Sequence, residues 1–134
     1  MAELSDYAEN LVLDWLMTTG GATRPTAWHI ALTTGTITDA HTGTNLGGST
    51  EISGNGYSRQ SATFSAASGG STDNDALESF TASGGNWGTI TDFAICDAST
   101  VGNSLVFSPL DTSRAVNDGD TLEFAAAAIV VTAA

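Results

Sequence analysis

Few residues in this chain are placed to do chemistry. The two histidines, His29 and His41, have no histidine or cysteine at metal-ligand spacing, so neither reads as a zinc ligand. The single cysteine, Cys96, lies in the strongest strand signal of the chain, with no basic neighbour in sequence. That setting suits a small buried hydrophobe rather than a nucleophilic thiolate, and one cysteine permits no intrachain disulfide. No GxSxG elbow, GxGxxG loop or GK[ST] loop is present, which removes the serine-hydrolase and phosphate-cradling signatures. Asp73, Asp75 and Glu78 put oxygen ligands close together in sequence. The EF-hand pattern fails there, because Leu77 stands where a ligand belongs and no glycine follows, so a solvated turn is preferred over a calcium site. Asp118 and Asp120 flank Gly119 as in a hairpin turn. The remaining acids also lie beside turn signals or on a helix, which argues against the paired carboxylates of a glycosidase. The residues therefore predict no catalytic group, no cofactor and no metal.

Arg59 is the exception worth tracking. It is one of three cations against fifteen acids, sits mid-strand beside Tyr57 and Gln60, and should form a salt bridge within the chain or across a subunit boundary.

The charge balance excludes whole classes of partner. The net charge is −12, there is no lysine, and Arg24, Arg59 and Arg114 are the only cations besides the histidines. Nucleic-acid binding needs a basic surface, so it is not expected, and anionic membranes should repel the chain. The N-terminus shows no basic region followed by an apolar core, and no apolar run approaches the ~20 residues of a membrane span. Synthesis in a host cytoplasm is the corresponding expectation. The 134 residues suit one domain over 1–134.

The elements that must carry these residues are mostly strands. Residues 4–17 have helical spacing, with Leu4, Tyr7, Ala8, Leu11 and Trp15 as an apolar stripe, Ser5 as N-cap and Gly20-Gly21 as a stop, giving an N-terminal helical segment over 1–20. Val12, Leu13 and Leu16 widen the stripe beyond what one small sheet would cover, as a partner chain or a fully buried helix would require. Residues 27–34 alternate, with Trp28, Ile30 and Leu32 on one face and His29, Ala31 and Thr33 on a more polar one. Residues 35–55 nearly lack hydrophobic residues and read as a long polar surface loop or an arm ordered by a neighbour. Further strands are expected over 56–66, 76–82, 87–97 and 104–110, the last an edge because of Pro109, and over 121–132 as one strand or two. In the 87–97 run, Ile90, Ala94 and Cys96 share one face and Thr91, Phe93 and Ile95 the other, so it should be central, with Asp92 at a wet end. The fold class is mainly β: a single antiparallel β-sandwich or jelly-roll-like domain with one N-terminal α-helix.

Several stretches together resemble a family of small tailed-phage structural proteins, labelled as tail-fibre or virion proteins. They are LSDYAENLVLDWL, PTAWHIALTTG, EISGNGYSRQSATFSAAS, WGTITDFAICDAS with NSLVFSPL, and VNDGDTLEFAAAAIVV. The family pattern falls on Pro25-Thr26 with Ala31-Leu32, on Gly56-Tyr57 with Arg59-Gln60, on Trp87-Gly88 with Phe93 and Asp97, and on Gly119-Asp120 with Leu122 and Phe124. The resemblance covers nearly the whole chain and departs in the loop from Gly35 to Asn55. It implies a non-enzymatic virion component.

Its position in the virion follows from the residues. Receptor-binding fibres run long, with repeats or heptads, and this chain has neither. A compact acidic β-domain favours a capsid decoration or cement protein, held to the head lattice by multivalent contacts. The alternative is a tail or tail-fibre component for host attachment. A carbohydrate-binding sandwich would need exposed aromatics, and Trp28 and Trp87 read better as core. The expected partners are the major capsid protein or other virion proteins and further copies of the chain, a homo-oligomer with a trimer favoured. The expected contact residues are Leu13 and Leu16 on the helix, Thr36 to Thr50 in the loop, and Arg59.

Overall fold

The computed structural model describes residues 2–133. The chain opens with β1 (Glu3–Leu4) and then α1 (Asp6–Met17). Ser5 sets the helix start: its hydroxyl oxygen accepts from the Ala8 N–H at 3.3 Å and its own O–H donates to the Ser104 carbonyl. Asp6 and Glu9 sit in the positive first turn, while the last turn has no basic residue to balance its end of the dipole. Next come β2 (His29–Thr33), a single turn at Leu46–Ser49, β3 (Gln60–Ser61), β4 (Ser71–Asp73) and β5 (Glu78–Thr81). The turn is left-handed at Gly47 and Gly48, with φ of 57° and 72°, which glycine adopts without a Cβ penalty. The chain closes with β6 (Gly88–Cys96), β7 (Ser104–Val116), β8 (Thr121–Phe124) and β9 (Val130–Thr132).

The protein is mainly β and antiparallel in its strand ladders, as its alternating hydrophobic runs predict. One sheet has the order β1-β7-β6-β2-β3, and two-stranded ladders β5-β8 and β4-β9 complete the sandwich. The main core lies between the sheet and the β5-β8 ladder, where Ile30, Leu32, Phe93 and Ile95 meet Phe80, Leu122 and Phe124. β6 is central as expected. Its Ile90 nonetheless leaves the Ala94 face for the main core, because the ladder with β7 is broken by a bulge between Ile90 and Asp92. Asp92 is not a wet end. It is 3% exposed and its carboxylate accepts the Ile37 N–H at 3.3 Å.

Other sequence expectations need correction. β2 has no polar face, since Ala31 and Thr33 are fully buried and His29 is half-buried. A second, smaller core made of Ala31, Ala94, Cys96 and Phe107 with Ile37 and Leu46 covers that side. β7 is not an edge strand at its start, because β1 pairs with Val106 and Phe107. Pro109 follows just past that cover and beside the bulge, where a missing N–H is tolerated, so the strand continues to Val116. Of the expected strand over 56–66, only Gln60–Ser61 pairs with β2, and Phe64 makes an isolated bridge to Asn74. No helix among the described residues is long and apolar enough to cross a membrane.

Candidate functional site

The surface that could engage a partner is α1. Its expected apolar stripe does not lie on the sheet: Ala8 is its only buried residue, and Leu11 is half-buried. Trp15 is 69% exposed, Leu16 61%, Leu13 57% and Met17 78%, with Val12 and Tyr7 near two-fifths. Only the first turn is held, by Ser5 against Ser104 and by Asp6, whose N–H donates to the Asp39 carbonyl at 3.0 Å. The remaining turns overhang the body and lead into an exposed or half-buried connection over 18–27.

The loop from Gly35 to Asn55 behaves in the opposite way. It folds back on the sheet, burying Ile37 and Leu46 in the second core and Ile52 in the first, so it is a cover and not an extended arm. Thr36, expected at an interface, is exposed, and Thr50 is half-buried with its O–H donated to the Gly47 carbonyl at 2.8 Å.

Arg59 holds this cover down. All five guanidinium N–H groups are engaged within the chain. Nε and one Nη grip the two Glu51 carboxylate oxygens at 2.7 and 2.8 Å, that Nη also reaches the Gly43 carbonyl at 2.7 Å, and the other meets the Ala98 and Val101 carbonyls, each at 2.9 Å. One side chain therefore ties the 35–55 loop to the turn after β6. Burial alone would weaken the Arg59 charge, but the Glu51 carboxylate more than offsets it and holds the guanidinium above its ordinary pKa. Tyr57 joins the cluster, accepting the Leu32 N–H and donating to Glu51, each at 3.0 Å. Burial, then the Glu51 charge, pushes its phenol well above the usual value. Gly43 is needed at the contact, because a Cβ there would collide with the Val101 carbonyl.

The acidic cluster is structural. Asp73 accepts from Ser65 at 2.8 Å and Asp75 from Thr63, while burial and then the Asp75 charge raise the Glu78 pKa. Among the described residues no three His, Cys, Asp or Glu side chains gather to hold a metal. Asn74, between the two aspartates, is fully buried. Its side chain donates to the Ala76 and Ala125 carbonyls and accepts the Ile129 N–H, clamping the C-terminal segment. Its role was hidden in sequence by the acids on either side. The Tyr57–Arg59 pairing had a weak signal, since residues two apart in extended chain share a face. Cys96 is fully buried, and burial pushes its thiol up to about 12. Trp87 belongs to the core, and Trp28, half-buried, packs against it, which leaves neither as an open sugar-stacking face.

One further concavity, an open groove of about 810 Å³, runs between the distal half of β7 and β8. Buried Phe93, Leu122 and Phe124 line it, with exposed Asp111, Arg114 and Glu123.

Compared with known proteins, residues 3–132 match the family described as Podophage GP4 fiber I protein gp80. The chain belongs to that family. The match runs from β1 through β9, taking in α1, the anchored loop and the whole sandwich. It agrees with the phage structural resemblance in the sequence, and it favours the fibre alternative over the capsid-decoration position drawn from compactness and acidity. No curated protein matches the chain.

Proposed function

We propose that this chain is a non-enzymatic structural subunit of a phage tail fibre, assembled in several copies with other virion proteins and serving attachment to the host. The observation that carries the reading is the family match over residues 3–132. The geometry supports it: the body is fastened internally by Arg59 and Asn74, while α1 presents apolar side chains to solvent. A compact acidic body suits a fibre unit as well as a capsid cement, because multivalent assembly supplies the length that a single copy lacks. We assign it a homo-oligomeric state, with a trimer as the expected symmetry.

The test is a cryo-EM difference map, with immunogold labelling, on particles with and without the protein. Density lost at the tail supports the fibre reading, and host adsorption should fall with it. Density lost from the head lattice would overturn that reading in favour of decoration.

A further inference from the structure

We infer that the groove between β7 and β8 takes an extended, basic segment of another protein, paired through its main chain in an open seam of the sandwich. The inference goes beyond the fibre reading and does not rest on it.

Two strand edges border the seam. β8 pairs with β5 on one side and, among the described residues, with no strand on the other. β7 pairs with β6 along one edge, but along the other β1 covers only Val106 and Phe107. From Leu110 to Ser113 the chain pairs with neither neighbour, and all but half-buried Leu110 are exposed. The groove opens between these edges, with Leu110, Asp111 and Arg114 on one wall and Leu122 and Glu123 on the other. A row of unpaired main-chain donors and acceptors is met most completely by another extended backbone.

The chain itself shows such an occupant at the head of the groove. There Ala2 bridges Val131 in parallel, while Glu3 and Leu4 pair antiparallel with Phe107 and Val106. Three extended residues thus join the β7 side to the β9 side, and Ala2 lines the groove where that cover stops. β8 and β9 lie against β5 and β4 in the same sense, so the open seam continues the one that Ala2 and β1 close. An incoming segment would run antiparallel to β7 and parallel to β8, whose four residues give it about 13 Å of edge. Pro109 and the bulge after it discourage pairing with an arbitrary strand, which leaves selection to the charges at the rim.

Those charges name the partner's chemistry. Exposed Asp111, Asp120 and Glu123 face a single exposed cation, Arg114, so a segment carrying lysine or arginine is favoured. A second copy is not, because the chain has three cations against fifteen acids. The floor is already covered: Phe93 and Leu122 are each 7% exposed and Phe124 8%, which leaves no open aromatic face for a sugar. Affinity must therefore come from the main-chain ladder and the rim.

The probe is a set of capped hexapeptides with valine or isoleucine at alternate positions and lysine or threonine between them, titrated into the full chain by calorimetry. At least one lysine-bearing member should bind saturably and slow amide hydrogen exchange from Leu110 to Ser113 and along β8. Its glutamate counterpart should bind about tenfold more weakly or worse, and N-methylation of its backbone should abolish binding. Asp111→Lys/Glu123→Lys changes two exposed residues, so it should keep the circular dichroism of the wild type and reverse the preference toward the glutamate peptide. Absence of saturable binding by every member overturns the proposal. Unchanged binding after N-methylation does so too, since the groove would then be an apolar cleft and not a strand site. So do protection at another edge in place of this one and a preference that survives the charge reversal. Exchange that is slow at these amides in the chain alone, and quickens on dilution, would make a second copy the occupant and overturn it as well. Loss of head density in the particle experiment would remove the fibre reading and leave this one standing.

Discussion

The 35–55 loop and α1 exchange the roles that their compositions suggest. The loop is rich in Gly, Thr, Asn and Ser, yet three well-spaced apolar residues, Ile37, Leu46 and Ile52, go fully or nearly fully inside. The helix has eight apolar residues of twelve and buries one. Burial is decided by what the rest of the fold leaves uncovered. The Ala31–Ala94–Cys96 face of the sheet needs a cover and the loop is threaded over it, whereas α1 from Val12 to Met17 stays exposed. The loop completes the sandwich, and most of the helix is left exposed.

Removing the clasp should produce the largest effect. Arg59→Leu leaves Glu51 without its partner and frees the Gly43, Ala98 and Val101 carbonyls. Breaking a buried pair costs 3–5 kcal/mol, and because Glu51 keeps some contact with water the lower end, about 3 kcal/mol, is expected by urea denaturation. Arg59→Lys should recover little of it, since an ammonium has three donors and no planar fork. If Arg59→Leu left stability unchanged while breaking the oligomer, Arg59 would belong to an interface and the contrast between the two regions would fail.

Leu46→Ala should cost next most, about 2–3 kcal/mol, by opening a cavity over Ala94 and Cys96. Cys96 reports on the same event. Its thiol is buried and pushed up to about 12, so alkylation in the folded protein should be very slow and should accelerate in Leu46→Ala. The pH dependence has a definite sign. An unfolded thiol ionises near its ordinary value of 9.0, whereas the folded one keeps its proton to about 12. Its contribution is therefore fully present below pH 9 and declines as pH rises toward 12.

Those effects also show what could be read from sequence. The β-sandwich, the central position of β6 and the Ser5 cap were legible because alternation and capping are local signals. The second core was not, since Ile37 and Leu46 are nine residues apart in a polar stretch and carry no period. Asp92 and Asn74 looked wet for the same reason, as their partners Ile37 and Ile129 are both 55 residues away. For α1 the periodicity gave the helix correctly, and the excess at Val12, Leu13 and Leu16 already exceeded what one sheet covers. What periodicity could not tell was where the body would end.

Ser5→Ala tests one of the points at which the first turn of α1 is held to the body. The substitution removes the cap on the Ala8 N–H and the hydrogen bond to the Ser104 carbonyl, both buried, so about 1–2 kcal/mol should be lost by thermal or urea unfolding. Helical circular dichroism should fall with it.

The smallest expected effect on folding separates the two regions most sharply. Leu13 is 57% exposed and touches neither core, so Leu13→Gln, which exchanges one good helix former for another, should change body stability by less than about 0.5 kcal/mol. A leucine of similar size in the loop, Leu46, should cost several times that when shortened. Association should show the reverse order. In the homo-oligomer proposed above, Leu13→Gln should weaken association in sedimentation, because its side chain is exposed, while Leu46→Ala should leave the stoichiometry of its folded fraction intact. If Leu13→Gln destabilised the body as Leu46→Ala does, α1 would have to fold back onto the sandwich in solution, and the helix would be a second cover rather than a free surface.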